Sequence, residues 1–384
     1  MYKVLIVGLG GSGGKTLSFL MDELKVRLGD SWDGKLPAAW KFVHIDVPAV
    51  ADGVGTNLAS PVAELGGTYV GIAGKNSSYS NFDTTAMSSL RNQNPPALDL
   101  AARWRPDPRK GDAVAVSGGA GAFRALGRIV TLAGASNIYQ TLKAAVDDLS
   151  SINSNNDLKT VARQVGDSGD SEDGKPLVFL VSSLAGGSGA SMVLDVADML
   201  RGLSNDSFDG MHSAAFLYTA DVFASLGISS GGPGSLSTIS ELISAMNRQG
   251  EGWNSKEWEA LGVSTAAVPG PLVTGRGPHM IFPVGAKSQG TPFGDSPEDV
   301  YRGFARMLAP LFIDKHIQND FNAYMLVNGP AAILAAGDST GLAKDPISGK
   351  INAAHFSAWG SAVLTMGRDR YSEYAAQRLS LIHI

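Results

Sequence analysis

Lys3-Val4-Leu5-Ile6-Val7-Gly8-Leu9-Gly10-Gly11-Ser12-Gly13-Gly14 is an apolar run that breaks into glycine. The run reads as a buried parallel strand, and the glycines end it in a tight turn. Glycine lets backbone N–H groups turn inward around an anion, and a helix that follows adds its positive end. Leu17, Leu20, Met21, Leu24 and Leu28 recur at helical spacing, so a helix is expected over 14–28. The pattern returns at Leu177-Val178-Phe179-Leu180-Val181, followed by Ala185-Gly186-Gly187-Ser188-Gly189-Ala190 and a helix expected over 189–202. A further glycine turn, Gly118-Gly119-Ala120-Gly121-Ala122, precedes a helix expected over 121–133. One such turn can hold a diphosphate; three point to a nucleotide whose phosphates are gripped by backbone from several sides.

Outward from these turns, short apolar runs alternate with amphipathic stretches, the pattern of a parallel sheet covered by helices. Strands are expected at 3–7, 41–46, 177–182, 213–219 and 279–284, and further helices at 136–149, 234–247 and 297–318. Residues 50–112 read as a long irregular insertion and 150–175 as an exposed acidic loop. The fold class is therefore α/β: a Rossmann-like parallel sheet flanked by helices.

Composition narrows the function. The 384 residues include 47 glycines, no cysteine and 44% hydrophobic residues, with a net charge of −5. No basic face is available to neutralise a phosphate backbone, which argues against nucleic acid. Without cysteine there is no disulfide or thiolate metal site, which fits a reducing cytoplasm. No apolar stretch reaches membrane-spanning length. His279, His316 and His355 lack metal-ligand spacing, and Ser183 and Ser188 do not form a nucleophile elbow.

The first turn fits G-x-G-x-x-G as Gly8, Gly10 and Gly13, and Asp46 ends the next strand, where a dinucleotide enzyme places its ribose-binding acid. Asp46 lies 33 residues past Gly13, beyond the usual interval of about 20. Lys15-Thr16 invites a P-loop reading, but Leu9 stands where that motif needs its leading glycine.

The other turns shift the balance. Ala185-Gly186-Gly187-Ser188-Gly189-Ala190-Ser191 resembles the G-G-G-T-G-[ST]-G signature of the tubulin/FtsZ superfamily. Gly118 to Arg128 resembles that family's second phosphate loop, and the first turn resembles its opening G-x-G-G-x-G-x-N. Pro292-Phe293-Gly294-Asp295-Ser296-Pro297-Glu298-Asp299-Val300-Tyr301 looks like the start of its long central helix, and Trp359 to Leu364 with Arg368 to Tyr371 resembles its second domain. The likeness is closest to the divergent bacterial tubulin-like proteins. Ala185 and Ser191 depart from the outer glycines of the signature, and Gly234-Ser235 replaces an expected base-contacting asparagine.

The resemblance implies a nucleotide-binding domain over 1–294, a central connecting helix over 295–320 and the start of a second α+β domain over 321–378; Leu379-Ser380-Leu381-Ile382-His383-Ile384 interrupts a helix expected from Asp369, so a truncated second domain and a non-native tail over 379–384 are expected. It implies GTP or GDP with Mg²⁺ as ligand. The candidate contacts are Gly10, Gly11, Ser12, Gly13, Lys15, Asp46, Gly119, Ala120, Gly121, Gly186, Gly187, Ser188, Gly189 and Glu241, with Phe293 to stack on guanine and Asp299 to read its edge. It also implies head-to-tail homo-polymerisation, with hydrolysis completed at the subunit contact by an acidic residue. Asp320 is the candidate, within Asn319-Asp320-Phe321, and Asp314 is the fallback. An NAD(P)-dependent Rossmann-type oxidoreductase and a non-hydrolysing nucleotide-binding scaffold remain the alternatives at this point.

Overall fold

The computed structural model describes residues 1–29, 35–51, 60–74, 77–93, 95–111, 116–166, 176–203, 213–227, 231–247, 277–288, 291–324 and 378. The expected second domain past residue 324, the tail over 379–384, Trp253, Trp258 and His355 lie outside the described residues.

Six strands form one sheet in the order β3-β2-β1-β4-β5-β6. They are β1 Val4–Leu9, β2 Trp40–Asp46, β3 Thr68–Gly71, β4 Leu177–Ser183, β5 Ser213–Tyr218 and β6 Met280–Val284. Every pairing is parallel. The strands β1, β4 and β5 are buried at every residue, as expected for near-continuous apolar runs covered on both faces. A short antiparallel pair, β7 Lys287–Ser288 and β8 Thr291–Pro292, stands apart.

The helices divide between the two faces. Leu5, Val7 and Leu9 of β1 pack toward α2 (Tyr79–Gln93), α5 (Arg124–Ala133), α6 (Ala135–Leu149) and α8 (Ser188–Gly202). Val4 and Ile6 point the other way, toward α1 (Gly10–Leu28), α7 (Ile152–Gln164) and α10 (Pro297–Leu308). On the first face α3 (Pro95–Trp104) and α9 (Gly231–Asn247) also pack, through Ala101 and Leu242; a 3₁₀ turn, Ala220–Leu226, packs on the second through Val222 and Phe223; and α4 (Pro108–Gly111) lies against α2. Aromatic rings fill the second face: Phe216 lies 5.0 Å from Phe282 and 5.1 Å from Phe304, and Phe179 lies 5.5 Å from Phe321. With α1 on one face and α8 on the other, the loops leaving β1 and β4 part from each other. A crevice opens there, at the carboxyl ends of the strands.

Four expectations need correction. The described residues of 50–112 are not irregular: they hold β3, α2, α3 and α4. The signal in α2 was present, since Tyr79, Ala86, Met87 and Leu90 recur at helical spacing and are buried, but intervening Ser, Asn and Thr masked it. Within the expected acidic loop over 150–175, Ile152–Gln164 form α7, which the Ser151 hydroxyl caps by accepting from the Ser154 N–H. The helix expected at 14 begins four residues earlier, so the first glycine run is itself a helical turn. The run over 297–318 is helical but segmented into α10, α11 (Pro310–Ile313) and a stretch over 315–324. Pro310 has no N–H to continue the ladder, and its ring crowds the preceding turn.

Candidate functional site

A cleft of about 210 Å³ lies at that crevice. Its wall is built from the end of β1 into α1 (Leu9 to Ser12), the end of β2 (Asp46, Pro48), Gly118 to Gly121, and the end of β4 into α8 (Ser183, Gly186 to Gly189). All three glycine turns of the sequence therefore meet in one place. The helices α1, α5 and α8 begin at or just past these turns, and none has a side-chain cap or an acidic residue in its first turn. By contrast, α7 and α10 are capped by serine. First-turn N–H groups have no intrahelical acceptor, so the starts of α1 and α8 leave backbone donors at the cleft wall, and α5 begins three residues past the Gly118 to Gly121 turn.

Glycine is what lets the turns approach. The Gly187 N–H donates to the Gly121 carbonyl at 2.7 Å, and a Cβ on Gly187 would lie 2.5 Å from that same oxygen. Gly10 takes a left-handed φ of +69°, and a Cβ there would meet Gly189 N at 2.7 Å. Gly13 is buried and does not line the cleft; a Cβ there would meet the Val181 carbonyl at 2.4 Å, so its role is to seat α1 on the sheet. The Ser183 hydroxyl accepts from the Ala185 and Gly186 N–H groups at 3.0 and 3.2 Å, which sets the third turn.

Among the described residues lining the cleft, Asp46 alone carries a charge. It is 3% exposed, its Oδ1 accepts from the Val47 N–H at 2.7 Å, and its Oδ2 stands 3.9 Å from His44 Nε2. Burial pushes the His44 pKa down to about 4, so the ring is neutral at pH 7. Its Nε2–H donates to the Gly10 carbonyl at 3.2 Å and holds the first turn in place.

The remaining candidates lie elsewhere. Lys15 pairs with Glu298 of α10 at 3.5 Å. Glu241 of α9 pairs with Arg124, the first residue of α5. Phe293 is 49% exposed and outside the cleft wall. The Asp299 Oδ2 accepts from the Ser296 N–H at 3.1 Å and from the Ser296 hydroxyl at 2.8 Å, closing a capping box on α10. Ser296→Ala is expected to lower stability by about 1 kcal/mol in a denaturant titration, the usual cost of a lost cap. Asp314 caps the 315–324 helix by accepting from the His316 and Ile317 N–H groups. Asp320 is exposed on that helix. Its neighbours reach Tyr2, just before β1: Gln318 Oε1 accepts the Tyr2 N–H, and Asn322 donates to the Tyr2 hydroxyl. Asp320 is thus placed toward the amino ends of the strands, away from the cleft. Sequence reasoning missed Pro48, Ser183 and His44 as parts of the site; Ser183 alone carried a signal, as the strand-ending serine before a glycine turn.

A doubly wound α/β protein with a glycine-walled cleft at its switch point is the class that this fold and site define. The family model described as "Tubulin like" matches residues 5–382, and the chain belongs to that family. Similar solved structures include CetZ2 from Haloferax volcanii, in a GTPγS-bound protofilament, at 13% identity and a TM-score of 0.37, covering 87% of this chain and 62% of that one. CetZ from Methanosaeta thermophila strain DSM 6194 is similar at 11% identity and a TM-score of 0.37, covering 86% of this chain and 60% of that one. The chain thus spans about three fifths of the length of each. No curated protein sequence matches it.

Proposed function

We propose that this chain binds GTP or GDP with Mg²⁺ in the cleft, and that copies of it associate head to tail with hydrolysis completed at the contact between them. The observation that carries the binding claim is the convergence of three glycine turns on one cleft, two of which run into uncapped helices, α1 and α8, whose first residues line it. At about 210 Å³ the cleft is below the 300–1,000 Å³ of whole small-molecule pockets, a size that takes a phosphate chain and leaves the nucleoside at its open side.

Asp46 bears on the metal. A carboxylate in a cleft shaped for phosphate repels its ligand unless a cation lies between them. One carboxylate plus substrate phosphates is the donor set that Mg²⁺ accepts, and Mg²⁺ bound there would neutralise charge on the phosphates. For the base, Asp299 uses Oδ2 in its own cap, leaving Oδ1 to accept from an N–H of guanine. In a dinucleotide reading, the turns at Gly118 to Gly121 and Gly186 to Gly189 have no role.

Thermal denaturation with GTP, GDP, ATP and NADH in parallel tests this. A ligand at a hundred times its Kd stabilises the native state by about 2.7 kcal/mol. GTP and GDP are expected to raise the midpoint, and chelating Mg²⁺ to reduce the effect. Protection by NADH alone would overturn the proposal.

Among the described residues no helix is long and apolar enough to cross a membrane. No group of three or more His, Asp or Glu among them is placed to hold a metal without a ligand's help.

A further inference from the structure

Two tyrosines converge on the first turn of α1. Thr16 Oγ1 donates to the Ser12 carbonyl at 2.8 Å and lies 2.7 Å from the Tyr218 hydroxyl. Because the threonine proton is committed to that carbonyl, Tyr218, at the end of β5, is the donor of the pair. Tyr301, on α10, donates to the Ser12 hydroxyl oxygen at 3.1 Å. Its ring lies 4.9 Å from that of Tyr218 and is 4% exposed. Burial raises the Tyr301 pKa to about 12, so it keeps its proton at neutral pH.

We propose that Tyr301 is a positioning residue for the nucleotide cleft: by filling an acceptor site on Ser12 Oγ, it turns the serine proton toward a phosphate oxygen. A serine hydroxyl has one proton and two lone pairs. Ser12 lines the cleft beside Gly10 and Gly11, and among the described residues its hydroxyl has no partner except Tyr301. With the tyrosine donating, the proton that remains is free for an anion. With the opposite polarity, Ser12 would donate to Tyr301 and present lone pairs to the phosphate, which repel it. The contact also joins cleft occupancy to α10. The inference rests on the nucleotide reading above.

The test is Mg–GDP affinity, measured by calorimetry on the full chain carrying Ser12→Ala, Tyr301→Phe or both. Losing a hydrogen bond to a charged oxygen is expected to weaken binding about tenfold in Ser12→Ala, and losing its orienter about threefold in Tyr301→Phe. The double variant is expected to bind no more weakly than Ser12→Ala, because the tyrosine acts only through the serine. Ser12→Thr, which leaves Tyr301 in place and keeps a hydroxyl, is expected to stay within about twofold of the parent. Tyr301→Phe binding as tightly as the parent or tighter would overturn the proposal. So would losses that multiply in the double variant, or a Ser12→Thr loss as large as that of Ser12→Ala. A parent chain that fails to bind Mg–GDP would overturn the nucleotide reading itself. Tight parent binding with no coupling between Tyr301 and Ser12 would overturn this contact alone.

Discussion

Gly187→Ala is expected to weaken nucleotide binding at least about a hundredfold in a protein that still folds. Gly187 has φ −80° and ψ −45°, an ordinary helical conformation, so alanine meets no backbone penalty there. What it meets is space already taken. The new Cβ would stand 2.5 Å from the Gly121 carbonyl oxygen, 2.7 Å from that of Ala120 and 2.9 Å from Phe123 N. All three are backbone atoms and cannot swing aside as a side chain tip would. The second and third turns must therefore separate, breaking the Gly187 to Gly121 hydrogen bond. Overpacking of this kind costs about 1–3 kcal/mol of stability. The larger loss falls on the ligand, because amides aimed at one set of phosphate oxygens lose their common focus. Gly202→Ala is the control: a Cβ there has nothing within 4 Å. Calorimetric titration beside far-UV circular dichroism separates the outcomes. A folded Gly187→Ala protein that binds GDP like the parent would show that these turns do not grip phosphate.

Some of this was legible in residues alone and some was not. Five of the six strands could be read, and three of these, β1, β4 and β5, are buried at every residue, which leaves continuous apolar runs such as Val4 to Val7 and Leu177 to Val181. The exception, β3, is a four-residue edge strand, Thr-Tyr-Val-Gly, with one buried residue and no pattern to read. The glycine turns were legible because a missing side chain is visible in sequence even when its neighbour is not. Which glycines face ligand and which merely allow packing was not: Gly13 and Gly187 look alike until Val181 and Gly121 are placed beside them. Long-range partners were hidden for the same reason. Nothing near His44 announces the Gly10 carbonyl, and nothing near Tyr301 announces Ser12, 289 positions away. The capping box at Ser296 and Asp299 is local, and it was readable as a helix start whatever else Asp299 does.

Asp320→Ala is expected to leave nucleotide affinity unchanged and to slow GTP turnover by about 10²–10⁴-fold, the range over which a positioned acid or base acts. The argument is one of place. The cleft opens at the carboxyl ends of the strands, while the helix bearing Asp320 is tied to Tyr2 at the amino end of β1. The six residues of β1 put about 20 Å between the two ends. A carboxylate that far away cannot orient water in its own cleft. It can do so only for a neighbour stacked end on end, amino face against cleft. Packing points the same way: Phe321 is buried against Phe179 and Phe282, which anchors the helix and leaves Asp320 facing outward. Turnover is therefore expected to rise more steeply than in proportion to protein concentration. Asp320→Ala mixed with Gly187→Ala is expected to exceed the summed rates of the two alone, since one supplies a working cleft and the other a working carboxylate. A mixture that stays at the sum, or an Asp320→Ala protein at full speed, would place the water-orienting group elsewhere, with Asp314 held back by its two backbone contacts as a helix cap.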